Sequence, residues 1–97
     1  MVNIKFFSAA WCGPCQQMKP HMDRLAKSGY PVEFVDIDEQ PTIAESVEVR
    51  GVPTTAIYED GVLMERVVGY EDVDRLKKRI DIYHKPIKLA AQKKPKK

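Results

Sequence analysis

Cysteine is scarce in this chain, and long apolar runs are missing. Two cysteines among 97 residues cannot build the multi-bridge framework of a small secreted protein. No apolar run approaches the roughly 20 residues that a membrane-spanning helix needs, so we expect no membrane partner. The apolar stretch at residues 2–7 is too short for a secretory signal. These absences predict a cytoplasmic protein, in which two closely spaced cysteines are more often catalytic or metal-binding than structural.

The composition is that of one small globular domain with a charged end. The apolar share of 43% is too high for a disordered chain, and the length allows one modest core. Six of the 16 basic residues are lysines in segment 85–97, which contains no acid. Residues 1–84 therefore hold ten basic and 14 acidic side chains, a net charge of −4. We expect a domain over residues 1–84 and a flexible basic tail over 85–97.

The acidic body argues against nucleic acid as the main partner. The lysine-rich tail is most simply a solubilising end. Contact of the tail with an acidic partner or with nucleic acid is the alternative.

Hydrophobic periodicity predicts seven elements in the order β-α-β-α-β-β-α. Alternating residues are typical of strands, and apolar residues three and four apart are typical of helices. A helix connects the first two strands, which should therefore be parallel, and Asp60-Gly61 predicts a hairpin turn. We expect an α/β fold, with a mixed four-stranded sheet and helices on both faces. The predicted strands are 2–7, 32–37, 54–58 and 62–68, and the predicted helices are 13–27, 42–47 and 71–83.

Both cysteines lie in the run Trp11-Cys12-Gly13-Pro14-Cys15, where the first strand leads into the first helix. A thiolate at a helix N-terminus faces unpaired backbone N–H groups and the positive end of the helix dipole. Both favour the charged, nucleophilic form of the sulfur. By position we expect Cys12 to be the exposed, attacking thiol. Cys15 lies one turn further along, close enough to form a disulfide with Cys12.

Other functions for these residues are weaker hypotheses. A zinc site at Cys12 and Cys15 lacks a second pair of cysteines or histidines at a suitable spacing, and zinc takes four ligands. A binding module whose cysteines are incidental is the alternative from a different functional class. His21 lies two turns past the cysteines and is better interpreted as a surface residue. His84 ends the last helix, where a histidine is a favourable cap.

Further sulfur-bearing and acidic residues have ordinary structural interpretations. Met18 and Met22 recur at helical spacing, which predicts core packing rather than a ligand site. Asp36, Asp38 and Glu39 indicate a polar end to the second strand rather than a cation site.

The cysteine run and its surroundings resemble the thioredoxin family. Pro20, five residues after Cys15, stands where that family has a proline that kinks the helix. The resemblance covers residues 2–83, without counterparts of the strand and helix that open a full-length thioredoxin. The other matching runs are Asp36-Ile37-Asp38 with Pro41, Arg50-Gly51-Val52-Pro53-Thr54, Asp60-Gly61 and Val68-Gly69.

The resemblance implies a thioredoxin-like fold and an enzyme that reduces protein disulfides. Cys12 would be the nucleophile and Cys15 the resolving thiol, with no cofactor beyond their redox-active disulfide and no metal. The expected electron source is a flavin-dependent thioredoxin reductase or a glutaredoxin-like route, and the expected state is a monomer. In this family a Gly-Pro pair between the cysteines is typical of reducing members, which favours a reductase.

The resemblance also implies a docking surface around the cysteines. The Val52–Pro53 peptide should be cis and should face them. Taken alone, Trp11 could instead be packing, and Val52 and Val68 ordinary sheet-edge residues. The expected site-shaping residues are Trp11, Gly13, Pro14, Val52, Pro53, Val68 and Gly69.

Three positions depart from the family pattern. Phe6 and Phe34 stand where thioredoxins usually carry a buried aspartate and an opposing lysine, and Ser8 stands where they often carry a tryptophan. Losing both charges together avoids a lone buried charge. The aspartate is thought to help move the proton of the second cysteine. We therefore predict slow resolution by Cys15, with its proton leaving through water or to the departing substrate thiolate.

Overall fold

The chain folds as seven elements, in the order that the periodicity predicts. The computed structural model describes residues 1–83, so His84 and the predicted tail at 85–97 lie outside the described residues. No helix within residues 1–83 is long and apolar enough to cross a membrane. The strands are β1 (Val2–Ser8), β2 (Val32–Asp36), β3 (Thr54–Glu59) and β4 (Val62–Val68), and the helices are α1 (Gly13–Lys27), α2 (Pro41–Ser46) and α3 (Val73–Tyr83).

The four strands form one mixed sheet in the order β2-β1-β3-β4, which confirms the predicted architecture. β1 and β2 are parallel, as a crossover through α1 requires, and β3 is antiparallel to both β1 and β4. The hairpin between β3 and β4 turns at Asp60 and Gly61, whose φ angles are 52° and 84°. Positive φ at both positions is what a type I′ turn needs. β1, which leads to the cysteines, is therefore paired on both sides.

Five of the seven elements begin or end one or two residues away from the predicted bounds, and side-chain hydrogen bonds explain the differences at α3 and β2. α3 begins at Val73 rather than at residue 71, because the Asp72 carboxylate accepts two backbone N–H groups of the first turn and caps the helix. β2 ends at Asp36 rather than at residue 37, because the Asp36 carboxylate accepts the next two free N–H groups. This local bonding turns the chain away from the strand.

Buried side chains lie on both faces of the sheet. Successive residues of β1 point to opposite faces, so Phe6 and Phe7, both fully buried, enter different clusters. α1 and α3 cover the cluster of Phe6, where Met18 and Met22 are buried as predicted. α2 covers the smaller cluster of Phe7 through Ala44. Packing on both faces fixes β1 and α1, the two elements that position the cysteines.

Candidate active site

The cysteines lie where the chain passes from β1 into α1. Cys12 is the N-cap of α1, and Gly13 and Pro14 begin its first turn. Proline suits this position because first-turn N–H groups have no partner within the helix. The backbone N–H of Cys15 donates to Sγ of Cys12 at 3.2 Å. A disulfide joins the two cysteines, whose Cα atoms are 5.2 Å apart.

The cysteine pair is more deeply buried than the sequence predicts. Cys12 was expected to be exposed, and this expectation is wrong: its exposed fraction is 5%, and Cys15 is fully buried. Both pack with Ala9, and Ile37 and Val52 cover them from distant segments. These tertiary contacts have no signal in the local sequence. The remaining exposure of the pair belongs to Cys12.

The loop between α2 and β3 faces the cysteine pair through Val52. The Val52–Pro53 peptide is cis, as the resemblance implies. Val52 packs against the cluster of Ala9 and the two cysteines, while Pro53 is buried. The Pro53 carbonyl accepts the backbone N–H of Gly69 at 2.7 Å. The structure thus joins the cysteines, this loop and the end of β4 in one continuous region.

Exposed apolar side chains lie at the edge of this region. Trp11 is 68% exposed and Val68 is 71% exposed. The indole N–H of Trp11 donates to the Asp38 carboxylate at 2.8 Å, which holds the ring at the surface rather than in the core. Val68 pairs with Thr54, the residue that follows Pro53. Exposed aromatic and aliphatic side chains beside a reactive group are suited to contact with a partner protein.

The sequence alone did not indicate two side chains of this region. Asp38, interpreted as part of a polar strand end, bonds to Trp11 across 27 positions of sequence, a separation that leaves no local signal. Tyr70 is 52% exposed and directly follows Gly69. An aromatic residue next to a glycine of the expected docking surface was a signal that could have found it.

The other candidate residues take no part in the cysteine site. His21 is half-buried on α1, and its ring contacts the Arg24 guanidinium. Among the described residues, no group of three or more His, Cys, Asp and Glu side chains is arranged to hold a metal ion. Phe6 and Phe34 are paired neighbours on β1 and β2, so the two positions expected to carry a charged pair are both aromatic.

The fold and the site together define a thioredoxin-fold protein with a redox-active disulfide. The sheet is mixed and four-stranded, the cysteine pair lies at a helix N-terminus, and a cis-proline loop packs against the pair. The thioredoxin family model matches residues 2–82. The chain therefore belongs to the thioredoxin family.

Curated relatives from eukaryotes and bacteria agree with this assignment. Mitochondrial thioredoxin-3 of Saccharomyces cerevisiae is 43% identical over 65 residues, which are 65% of this chain and 51% of the relative. The thioredoxin of Chlamydia trachomatis is 43% identical over 82 residues, covering 82% of this chain and 79% of the relative. The chain thus spans about half the length of the yeast relative and about four-fifths of the bacterial one.

Solved structures lead to the same family. A mutant thioredoxin from Halobacterium salinarum superposes with a TM-score of 0.83 at 40% identity, covering 89% of this chain and 77% of that one. The oxidised form of yeast mitochondrial thioredoxin 3 gives a TM-score of 0.71 at 36% identity, covering 84% and 77% of the two chains. With the paired cysteines of this structure, these matches support dithiol–disulfide oxidoreductase activity.

Proposed function

We propose that this chain reduces disulfides of other proteins, with Cys12 as the nucleophile and Cys15 as the resolving thiol. The observation that carries the assignment is that Cys12 caps α1 and retains the pair's remaining exposure, whereas Cys15 is fully buried behind it. When the disulfide is reduced, the first-turn N–H groups and the helix dipole stabilise a thiolate at the cap position.

The reaction moves two electrons from the dithiol to the target. The Cys12 thiolate attacks one sulfur of the target disulfide, forms a mixed disulfide and releases the other target sulfur as a thiolate. Cys15 then loses its proton and attacks the Cys12 sulfur. This step forms the Cys12–Cys15 bond, breaks the mixed disulfide and releases the second target thiolate. The target leaves reduced and this chain leaves oxidised.

The proton of Cys15 has no carboxylate at the position expected for one, because Phe6 occupies it and is fully buried. We assign the proton to water or to the departing target thiolate. We assign the docking surface to Trp11, Gly13, Pro14, Val52, Pro53, Val68 and Gly69. The packing of Val52 on the cysteine pair, the hydrogen bond from Gly69 to Pro53 and the exposure of Trp11 and Val68 support this assignment.

Reduction of insulin disulfides tests the proposal. The natural chain, with dithiothreitol as electron source, should accelerate insulin precipitation, and Cys12→Ser should abolish this acceleration. Cys15→Ser should instead accumulate a mixed disulfide with the target, detectable by mass spectrometry. If the natural chain is inactive and both serine variants still bind a partner equally well, the chain is a binding module and the proposal is wrong.

The electron donor, compartment and oligomeric state belong to the same proposal. A flavin-dependent thioredoxin reductase would return electrons to the Cys12–Cys15 disulfide, and NADPH oxidation by such an enzyme in the presence of this chain measures it. We place the chain in the cytoplasm, which subcellular fractionation tests. We infer a monomer because one chain contributes both cysteines and the Val52 loop, and sedimentation tests this state.

A further inference from the structure

A groove lies beside the cis-proline loop, between the chain that leads into this loop and the end of β4. Its volume is about 450 Å³, and Arg50, Arg66 and Val68 are among the residues that line it. Val68 is also part of the docking surface, and Arg50 lies two residues before Val52. A polypeptide that docks at Val52 and Val68 therefore has this groove within reach of its neighbouring side chains.

The two arginines of the groove are not equivalent. Arg66 donates to the Val47 carbonyl at 2.7 Å, and its guanidinium lies 4.0 Å from the Glu48 carboxylate. The Arg66 side chain thus binds the segment that precedes the cis-proline loop. In this segment Glu48 has a left-handed φ of 56°. Arg50 is exposed, and its side chain has no hydrogen bond or ion pair to any other residue within 1–83. Its five N–H donors are available to a ligand.

We propose that this groove is a subsite for a carboxylate side chain of the substrate protein, with Arg50 as the residue that binds it. A guanidinium presents a planar fork of donors that matches a carboxylate. Apolar walls at Val49 and Val68 would accommodate the methylene groups of a glutamate or aspartate. The proposal rests on the proposed function and adds a preference to it: substrates with an acidic residue near the target cysteine are reduced faster.

Short disulfide-linked peptides test this preference. A single glutamate, glutamine or lysine is moved through the positions that flank the target cysteine, and kcat/KM is measured for each peptide. At one position, glutamate should raise kcat/KM about 2- to 5-fold over glutamine, the range of an exposed ion pair. Added salt should reduce the advantage, because it screens exposed charges. Lysine at the same position should be the poorest substrate.

Variants of Arg50 separate the subsite from general charge effects. Arg50→Gln should make kcat/KM equal for glutamate and glutamine peptides, and Arg50→Glu should make lysine peptides the preferred ones. Arg75, an exposed arginine of α3, is the matched control, and Arg75→Glu should leave the preference intact.

The outcomes distinguish the subsite from the activity itself. Two results would overturn the subsite while leaving the proposed function in place. One is an equal kcat/KM for glutamate and glutamine peptides at every position, and the other is a glutamate advantage that survives Arg50→Gln. If the natural chain reduces no peptide faster than the Cys12→Ser variant does, the proposed function is wrong and the subsite is wrong with it.

Discussion

The rings of Phe6 and Phe34 meet edge to face, with centroids 6.0 Å apart and planes at 79°. The two residues are paired on β1 and β2, and Phe6 is fully buried. Such aromatic pairs contribute about 0.5–1.5 kcal/mol beyond the burial of their area. The site thus has an aromatic pair where the family usually has a carboxylate and an ammonium group. Replacing a buried ion pair with packed apolar groups is often neutral or stabilising.

Charge introduced at only one of these positions should be costly. Phe6→Asp is expected to lower the free energy of unfolding by at least ~3 kcal/mol, because it removes a packed ring and buries an unpaired carboxylate. Adding Phe34→Lys should recover part of this loss, with a coupling energy of ~1–3 kcal/mol. Urea unfolding of the single and double variants measures the coupling, with Phe6→Leu as the uncharged control. A coupling near zero would show that the two positions do not interact.

The same double variant tests how the proton of Cys15 is handled. A carboxylate at position 6, where thioredoxins usually carry one, should act as a general base for Cys15, so Phe6→Asp with Phe34→Lys should speed decay of the mixed disulfide at least ~10-fold. The rate should also change between pH 6 and 9, as the carboxylate and the thiol titrate. Stopped-flow measurement with Phe34→Lys alone as the control checks this. A pH profile equal to that of the natural chain would contradict the prediction.

Thr54 and Thr55 are adjacent buried threonines that differ in whether the side-chain hydroxyl is hydrogen-bonded. The Thr54 hydroxyl donates to the Gly51 carbonyl at 2.6 Å, whereas the Thr55 hydroxyl has no hydrogen-bond partner among residues 1–83. Thr54→Val should therefore lower the free energy of unfolding by ~1 kcal/mol, while Thr55→Val should leave it unchanged or raise it by up to ~1 kcal/mol. Denaturant unfolding of the two variants, each the control for the other, gives the sign. Equal losses would mean that Thr55 also makes a stabilising bond.

The bond between Trp11 and Asp38 should restrain the docking surface. Trp11 is the single tryptophan of the sequence, so its fluorescence reports on this position alone. Asp38→Ala removes the acceptor, and the anisotropy of Trp11 should decay faster on the nanosecond timescale. Because a mobile ring must be ordered on docking, kcat/KM for insulin should fall about 2- to 5-fold. Glu39→Ala removes a neighbouring acid and should change neither quantity; an equal effect would point to charge rather than to the bond.

Tyr58 should make stability depend on alkaline pH. Burial first, and then the nearby Glu33 carboxylate, raise the pKa of Tyr58 above its ordinary value of 10.0. The fold therefore favours the protonated phenol, and this contribution is complete below pH 10 and is lost as the pH rises through the folded-state pKa. Tyr58→Phe should reduce the loss of stability above pH 10. At pH 7 it should cost nothing, because the Tyr58 hydroxyl is buried without a hydrogen-bond partner in the part of the chain that the structure describes.

Tyr30→Phe is the comparison for this pH dependence. The Tyr30 hydroxyl donates to the Asp81 carboxylate at 3.0 Å, so its removal should lower stability already at pH 7. Thermal unfolding of both variants at pH 7 and above pH 10 separates the two cases. A Tyr58→Phe variant that is less stable at pH 7 would contradict the assignment of an unsatisfied hydroxyl.

Local patterns determined most of the fold and the position of the reactive group. Alternation in β1, three- and four-residue spacing in α1 and the Asp60-Gly61 turn each depend on residues close in sequence, and the structure confirms them. The start of α1 at Gly13 was predictable for the same reason, since capping and first-turn proline preferences act within one helical turn. The start of α3 moved because the Asp72 side chain caps this helix.

Only the tertiary structure decided how the site is closed and what surrounds it. Three features depend on segments that are distant along the chain. They are the burial of Cys12 under Ile37 and Val52, the bond from Trp11 to Asp38, and the groove that Arg50 shares with Arg66 and Val68. Strand order and register bring these segments together, and a short sequence window contains neither. The sequence by itself therefore determined where the cysteine pair lies, because strand, cap and helix signals are local. The packing of the sheet, the helices and the loops decided how deeply the pair is buried and which side chains surround it.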